Sequence, residues 1–354
     1  MRGPRLTWRA LALLAVPASL VATGLHAPPL ASFVLACVAV LPLAGLMGDA
    51  TEHLALRTGP TLGGFLNATF GNAAELIIAV MALRAGLVPL VKASITGSIL
   101  GNLLLILGLA LLAGGTVPGR ETLRFNRTAV GMSAGMLALA VVGLVFPALF
   151  HGLHPVGQGA DELRLSEGVA LILLVTYAAS LLFSLKTHRR LMGGDPHPVD
   201  ETPWPVGRAV GLLALATVGV AVESEILVHA VEGVTASLGW SQAFLGLIII
   251  PVIGNAAEHA TAVVAARKGQ VDLALQVALG SSTQVALLVA PLLVFIGLAL
   301  GRPMDLVFTP FEVVAVALST VVVSIAMLDG ESHWFEGVQL LAVYLMVGVA
   351  AFFL

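Results

Sequence analysis

Long apolar runs separated by short polar segments follow one another along almost the whole chain. These runs are much longer than the roughly ten residues of a membrane β-strand and lack its strict alternation, so each predicts a membrane helix of about 20 residues. Eleven such helices fit the sequence. Their approximate centres are Ala15, Ala39, Ala73, Leu103, Leu139, Leu174, Leu215, Gly254, Leu287, Ala317 and Val343.

Composition supports an all-α, polytopic membrane protein and excludes other classes. Of the 354 residues, 58% are hydrophobic and only 10% are charged, which does not describe a water-soluble surface. The formal net charge of -3 offers no basic face for nucleic acid. A single cysteine, Cys37, provides neither a disulfide framework nor a thiolate metal site.

The longest polar stretch divides the chain into two halves. It runs from Lys186 to Trp204 and includes two arginines, three acidic residues and three prolines. We therefore predict an N-terminal transmembrane helix in residues 1–28, five helices in 29–187, a linker at 188–206 and five helices in 207–354. A cleaved signal peptide is the alternative for the N-terminus, because Arg2, Arg5 and Arg9 precede an apolar stretch.

The distribution of lysine and arginine orients the predicted helices, because cytoplasmic loops are enriched in positive charge. With a cytoplasmic N-terminus, all but four of the 17 basic residues fall on the cytoplasmic side. The exceptions are Arg84, Lys92, Arg164 and Arg302. The sequence thus predicts a cytoplasmic N-terminus, a cytoplasmic linker and an outside C-terminus.

An internal repeat lies at the centre of the two halves. The pentapeptide Gly-Asn-Ala-Ala-Glu at 71–75 recurs at 254–258, and a Gly-Ser pair follows each copy at 97–98 and 280–281. By the predicted orientation, the helices that carry the two copies cross the membrane in opposite directions. This pattern predicts an inverted-topology repeat, a form typical of secondary transporters with an ion site near the membrane midplane.

The repeated motif places oxygen-bearing side chains inside the predicted membrane helices, where burying a polar group is energetically unfavourable. Asn and Glu three residues apart share one helix face, while the alanines and glycines permit close packing and a local break. An intramembrane carboxylate is a candidate functional group, and an all-oxygen site favours calcium, with manganese as the alternative. The predicted metal ligands are Glu75, Glu258, Asn72, Asn255, Ser98, Ser281 and Gln284, with further hydroxyls at Ser282 and Thr283; no resident cofactor is expected.

The same pair of glutamates would couple the cation to protons. Two close, desolvated carboxyls cannot both remain ionised in a dry site, so either a dication or protons must neutralise them. The empty, doubly charged state should not cross the membrane, which is a physical basis for obligate exchange. His259, Glu52 and Glu225 are candidates for relaying the protons.

Structural roles remain open for several of these residues. Asn72, Asn255, Ser98, Ser281 and Gln284 could join helices by hydrogen bonds rather than bind an ion. His259 could be a packing histidine, and Glu52 and Glu225 could cap helices or face interfacial water. Glu312 has no repeat partner, and the sequence assigns it no role.

Four sequence blocks resemble the calcium/proton exchanger (CAX) family of the calcium/cation antiporter superfamily. They are GPTLGGFLNATFGNAAELI at 59–77, SITGSILGNLLLILG at 94–108, GNAAEHATA at 254–262 and GSSTQVALLVAP at 280–291. The resemblance implies alternating access by two five-helix inverted halves and exchange of calcium for protons, with the essential glutamates at Glu75 and Glu258. The acidic regulatory stretch found between the halves of some relatives is absent from Lys186–Trp204.

Three other functions compete with calcium/proton exchange. A sodium-coupled exchanger is the closest, but the GTSxPE-like motif of that branch does not occur here. A cation channel would use similar ligands without a counter-ion. An intramembrane metal-dependent hydrolase would be an enzyme, which we do not expect because the His-Glu-x-x-His spacing is missing. We expect a bacterial cytoplasmic membrane protein whose partners are lipid, calcium ions and protons; its self-association is left open.

Overall fold

The computed structural model describes residues 12–58, 60–153, 159–192 and 203–354. Arg2, Arg5, Arg9, Gly59 and most of the predicted linker lie outside the described residues. Elsewhere the chain is almost entirely helical. The helices before the linker are α1 (Ala15–Gly24), α2 (Pro29–Thr58), α3 (Pro60–Phe70), α4 (Ala73–Arg84), α5 (Val88–Gly115), α6 (Arg127–Leu153) and α7 (Gly159–Thr187).

The second half contains six further helices and closes the one small β-pairing of the described residues. The helices are α8 (Val206–Leu238), α9 (Gln242–Gly254), α10 (Ala256–Arg267), α11 (Val271–Ala299), α12 (Pro310–Ala326) and α13 (Trp334–Phe352). Strand β1 (Leu123–Arg124) pairs antiparallel with β2 (Glu331–Ser332), and Arg124 faces Glu331 in an ion pair of 3.0 Å. This pairing joins a loop of each half.

Helix length and hydropathy make this a multi-pass membrane protein. Within the described ranges, seven helices, namely α2, α5, α6, α7, α8, α11 and α13, are long and apolar enough to cross a membrane, and α9 with α10 forms a bent pair that would make an eighth. All eleven predicted centres fall within a helix or at its end. The all-α membrane class is therefore established, while the number of crossings stays a prediction.

The interior of the molecule is formed by the helices that follow the two repeated motifs. In α5, 83% of the apolar window is buried by the protein, and in α11 the figure is 61%, compared with 17% in α7. Leu103 and Leu287, near the middles of α5 and α11, are completely buried. Because protein rather than lipid surrounds these two helices, polar groups on them can be held by hydrogen bonds.

Helix boundaries repeat at the spacing of the sequence motifs. Helices α4 and α10 have 12 residues each, and α10 lies 183 positions after α4. Helices α5 and α11, and α6 and α12, also begin 183 positions apart. A π-helical turn occupies Gly101–Ile106 in α5 and Val285–Val289 in α11, and such turns are frequent at functional sites. The repeat is thus visible in local structure as well as in sequence.

Glu312, to which the sequence assigned no role, is explained by the start of α12. Its backbone amide donates to Thr309 Oγ1 at 3.2 Å, and its carboxylate accepts from the amide of Thr309 at 2.8 Å. This reciprocal capping box satisfies two amides that would otherwise lack partners at the helix end.

Candidate cation site

Both copies of the repeated motif lie at helix breaks. Helix α3 ends at Phe70 and α4 begins at Ala73, while α9 ends at Gly254 and α10 begins at Ala256. The second break bends the helix direction by 59°. Asn72 and Asn255 occupy the positions just before α4 and α10. Glu75 and Glu258 therefore lie in the first turns of these helices, where the helix dipole favours negative charge.

Glu75 and Glu258 are brought together from the two halves of the chain. Their carboxyl groups are close enough to interact electrostatically, and the side chain of Glu75 packs beside the backbone of Gly254. Glu75 Oε1 and Glu258 Oε2 are shielded from solvent, and neither has a hydrogen-bond partner among the described residues. A buried carboxyl oxygen without a partner is unfavourable, so these two atoms indicate a place for a proton or a cation.

Asn72 belongs to a chain of hydrogen bonds that alternates between the halves. Asn102 Nδ2 donates to Ser281 Oγ at 2.8 Å, and Ser281 Oγ donates to Asn72 Oδ1 at 2.7 Å. Asn72 Nδ2 then donates to Gln284 Oε1 at 2.5 Å. Each step crosses from one half to the other, so the chain fixes the position of α11 relative to the break before α4.

Asn255 makes a different set of contacts. Its Nδ2 donates to the carbonyl of Pro251 at 3.0 Å and to Ser98 Oγ at 3.3 Å. A carbonyl oxygen can only accept, so the amide nitrogen must face Pro251 and the amide oxygen must point away from it. Asn255 Oδ1 is buried and has no partner among the described residues, which makes it a third unpartnered oxygen near the glutamates.

A narrow cavity adjoins Glu75 and provides room for about one water molecule. Its polar wall is formed by Glu75, Ser94 and Ser98, and the rest of its lining is apolar. The complete lining is Glu75, Ile78, Ala79, Ser94, Ile95, Ser98, Ile250, Pro251, Gly254, Val285 and Val289. The cavity thus draws residues from both halves.

The three residues predicted to relay protons lie at different places relative to the two glutamates. His259 follows Glu258 in α10, and its Nε2 is buried without a partner among the described residues. Glu52 and Glu225 are exposed on α2 and α8, and no hydrogen bond of the described residues joins either carboxylate to the cluster. The proton-relay role of these three residues therefore remains a prediction.

Ser282 and Thr283, the further hydroxyl candidates, donate hydrogen bonds within their own helix. Ser282 Oγ donates to the carbonyl of Ala278 at 3.0 Å, and Thr283 Oγ1 donates to that of Leu279 at 2.8 Å. Both hydroxyls thus bond one turn back along their own helix, as serine and threonine commonly do. Each hydroxyl oxygen keeps its lone pairs, so a ligand role for either residue stays a prediction.

Asn102 is the residue that the sequence analysis missed. It is completely buried in the π-helical turn of α5 and holds Ser281, while its Oδ1 lacks a partner among the described residues. A signal was present, because Asn102 is the one amide within the apolar block at 94–108. No group of three or more His, Cys, Asp or Glu clusters anywhere in the described ranges, so a cation here would need amide and hydroxyl oxygens besides the two carboxylates.

Comparisons with known proteins place the chain in a family. The model of the sodium/calcium exchanger protein family matches residues 29–186 and 208–353, which is most of the chain. The chain belongs to the sodium/calcium exchanger family. Its resemblance to calcium/proton exchangers is confirmed by a Ca(2+)/H(+) antiporter of Aphanothece halophytica, which is 45% identical over 96% of this chain and 95% of that protein.

Other members of the exchanger family agree in sequence and in fold. The Ca(2+)/H(+) antiporter ChaA of Bacillus subtilis is 41% identical over 96% of this chain and 97% of that protein. The solved structure of native YfkE superposes with a TM-score of 0.84 at 39% identity, covering 97% of this chain and 99% of that one. The exchanger fold therefore extends over nearly the whole chain.

Proposed function

We propose that this exchanger moves calcium in one direction and protons in the other across the membrane. The observation that carries the proposal is the pair of carboxyl oxygens, Glu75 Oε1 and Glu258 Oε2, which are buried together without partners among the described residues. The curated relatives named above, which are Ca(2+)/H(+) antiporters, lend support from homology.

Calcium would be held by oxygen atoms from both halves. Glu75 and Glu258 supply the charge, and Asn255 Oδ1 is an amide oxygen that no described group occupies. Ser98, Asn72, Ser281 and Gln284 complete the proposed ligand set. Calcium accepts six to eight oxygens in irregular geometry, which suits a site built from amides, hydroxyls and carboxylates; manganese is the alternative cation.

Proton coupling follows from the burial of the two carboxyls. When calcium leaves, the adjacent charges on Glu75 and Glu258 repel each other in a low-dielectric environment, and proton binding relieves this repulsion. A site that is protonated or holds calcium can then become accessible from the other side of the membrane, whereas an empty, doubly charged site cannot. His259, beside Glu258, is the proposed proton relay, with Glu52 and Glu225 as more distant candidates.

We further propose eleven transmembrane helices arranged as an extra helix followed by two inverted five-helix halves. The constant offset of 183 positions between equivalent helices supports two related halves, as do the two separate ranges matched by the family model. In this arrangement the N-terminus is cytoplasmic, the C-terminus is outside, and the membrane is the bacterial cytoplasmic membrane.

Flux measurements in proteoliposomes test the function. Purified protein is reconstituted without sodium, a pH gradient is imposed, and calcium uptake is followed together with an internal pH-sensitive dye. We expect uptake that requires the gradient and dissipates it. Liposomes without protein provide the control for leakage.

Each competing function gives a different result in the same measurement. Calcium uptake that begins only after sodium is loaded would replace proton coupling by sodium coupling. Uptake that proceeds with no counter-ion would indicate a channel. Replacing calcium by manganese at equal concentration then tests cation selectivity.

A further inference from the structure

Glu223 is a buried acid that the proposed exchange site does not use. It lies in the middle of α8 (Val206–Leu238) and is completely buried. Neither of its carboxyl oxygens has a hydrogen-bond partner among the described residues. A carboxyl group at this depth of a membrane protein is energetically unfavourable unless it is paired or neutral, so Glu223 requires either a partner or a proton.

The extra helix α1 supplies the polar neighbour of this acid. Ser19 of α1 is also completely buried, and its Oγ has no hydrogen-bond partner in the described part of the chain. The Ser19 hydroxyl lies close enough to the Glu223 carboxyl to interact with it. Leu20 and Val21, which follow Ser19, are 47% and 59% exposed. Helix α1 thus turns Ser19 towards the acid and its next two residues towards lipid, so one helix separates Glu223 from the bilayer.

No opposite charge compensates for the burial of Glu223. The helices packed against α8 are α1, α2 and α4, and residues 12–24, which include α1, carry no titratable side chain. The titratable side chains of the other packed helices and of α8 itself are Cys37, Asp49, Glu52, His53 and Arg57 on α2, Glu75 and Arg84 on α4, and Arg208, Glu225, His229 and Glu232 on α8. None of these side chains forms a hydrogen bond with Glu223, and none acts on it electrostatically.

An apolar cluster separates Glu223 from the exchange site. Val220, one turn before Glu223, packs in this cluster with Ala74, the residue before Glu75. Val16 of α1 packs against the same cluster. No hydrogen bond of the described residues joins Glu223 to Glu75. The two acids are therefore separate sites on neighbouring helices.

The oxygen atoms around Glu223 suit a proton better than a metal ion. The structure brings together two carboxyl oxygens of Glu223 and one hydroxyl oxygen of Ser19, whereas calcium takes six to eight oxygen ligands. A proton needs fewer partners, because it neutralises the carboxyl group and gives it an O–H that can donate to Ser19 Oγ. An ionised carboxyl could accept from Ser19 instead, but one hydroxyl does not compensate for a buried charge.

We infer that Glu223 is a proton-binding site, separate from the exchange site, in which the neutral carboxyl donates a hydrogen bond to Ser19 Oγ and thereby fastens α1 to α8. This bond exists only while the proton is bound, because an ionised carboxyl has no hydrogen to donate. Proton binding at Glu223 and docking of α1 therefore favour each other, as any two linked binding events do. The inference concerns the packing of α1 and does not rest on the proposed exchange.

Infrared difference spectroscopy measures this proton directly. The full-length protein is studied in lipid at neutral pH without calcium, and the spectrum of Glu223→Gln is subtracted from that of the parent. We expect the difference to contain the C=O stretching band of a protonated carboxyl. Glu232→Gln is the matched control, because Glu232 is an exposed acid of the same helix, and its difference should contain the bands of an ionised carboxylate. Carboxylate bands for Glu223 as well would overturn the inference.

Ser19→Ala tests the hydrogen bond and leaves Glu223 in place, so it remains informative if Glu223→Gln fails to fold. Loss of the acceptor should shift the frequency of the protonated-carboxyl band. Thr23→Ala is the control within α1, because the Thr23 hydroxyl donates to the carbonyl of Ser19 in its own helix at 2.9 Å, and it should leave the band unchanged. A band that is also unchanged in Ser19→Ala would show that the acid is not bonded to α1.

The pH dependence of thermal unfolding measures the link between the proton and the fold. Above the ordinary range of carboxyl titration the folded protein would hold one proton more than the unfolded chain. Stability must then fall as pH rises, by up to about ten-fold in the folding equilibrium per pH unit, until the buried group itself ionises.

Glu223→Gln has no proton to release, so its Tm in detergent should fall less between acidic and alkaline pH than that of the parent, whereas Glu232→Gln should follow the parent. The same fall in Glu223→Gln and in the parent would contradict the inference. None of these measurements involves transport, so an absence of proton-driven calcium flux would remove the proposed function and leave the proton site at Glu223 to be decided by the spectra.

Discussion

The two copies of the Gly-Asn-Ala-Ala-Glu motif have identical sequences but different hydrogen-bond partners. Both polar atoms of Asn72 are engaged, its oxygen by Ser281 and its nitrogen by Gln284. Asn255 uses only its nitrogen, and its oxygen is unpartnered among the described residues. Asn255 thus has an unpartnered oxygen that could bind a cation, whereas both polar atoms of Asn72 already make hydrogen bonds.

This difference arises outside the motif, from residues that the repeat does not preserve. Asn102 donates to Ser281, and the Ser281 hydroxyl in turn donates to Asn72. The equivalent of Asn102 is Val285, which has no donor, and the equivalent of Gln284 is Gly101, which has no side chain. An inverted repeat can therefore carry the same asparagine twice while one copy uses both of its polar atoms in hydrogen bonds between the halves and the other keeps its amide oxygen unpartnered.

The largest effect is expected where the two copies are alike. Glu75→Gln and Glu258→Gln preserve side-chain size but remove a charge, and loss of one buried charged ligand costs about 3 kcal/mol, or about 100-fold in cation binding. We expect both variants to fold and to lose calcium exchange in proteoliposomes. Glu232→Gln, an exposed position on α8, is the matched control. Undiminished exchange in either site variant would contradict the site.

An intermediate effect should separate the two asparagines. Asn72→Ala leaves the Ser281 hydroxyl and the Gln284 carbonyl without their partner, so it should destabilise the protein by about 1 to 2 kcal/mol. Asn255→Ala removes the unpartnered oxygen and should mainly raise the KM for calcium, by about ten-fold for a ligand contributing about 1.4 kcal/mol. Thermal unfolding in detergent and calcium-dependent flux measure the two effects. If Asn72→Ala and Asn255→Ala lowered Tm by the same amount and raised KM by the same factor, the asymmetry would have no effect on function.

Much of the fold, and the importance of the repeated motif in it, could be predicted from sequence. Apolar runs fix the helices, because the bilayer requires every backbone amide to be bonded internally. The duplicated motif identified the two glutamates, which the structure then brings together from distant parts of the chain. Helix formation depends on local sequence and the choice of glutamates on repetition, and the sequence displays both directly.

The partners of individual polar groups could not be predicted in this way. Asn102 lies 179 positions from Ser281, so nothing local indicates their hydrogen bond. Ser282 and Thr283 are next to Ser281 in sequence, yet their hydroxyls bond to the preceding turn. Which face of a helix meets the site depends on its rotation in the assembled bundle, and this rotation is set by packing between helices.

The smallest effect concerns the residues that create the asymmetry. Asn102→Val removes the donor to Ser281, which should lower stability by about 1 kcal/mol, as for one hydrogen bond within a membrane protein. Val285→Asn places an amide on the wall of the cavity that Ser98 also lines. There it can donate to Ser98 and thereby turn the serine hydroxyl towards Asn255.

Combining the two substitutions tests whether the unpartnered oxygen can be transferred from Asn255 to Asn72. Suppose that the donors at positions 102 and 285 decide which asparagine has an unpartnered oxygen. In the double variant Asn72→Ala should then raise the KM for calcium by a larger factor than in the parent, and Asn255→Ala by a smaller one. Measuring calcium KM for both alanine substitutions in the parent and in the double variant gives this comparison. An unchanged preference for Asn255 would mean that the carbonyl of Pro251, which has its own hydrogen bond to that amide, is sufficient to orient it.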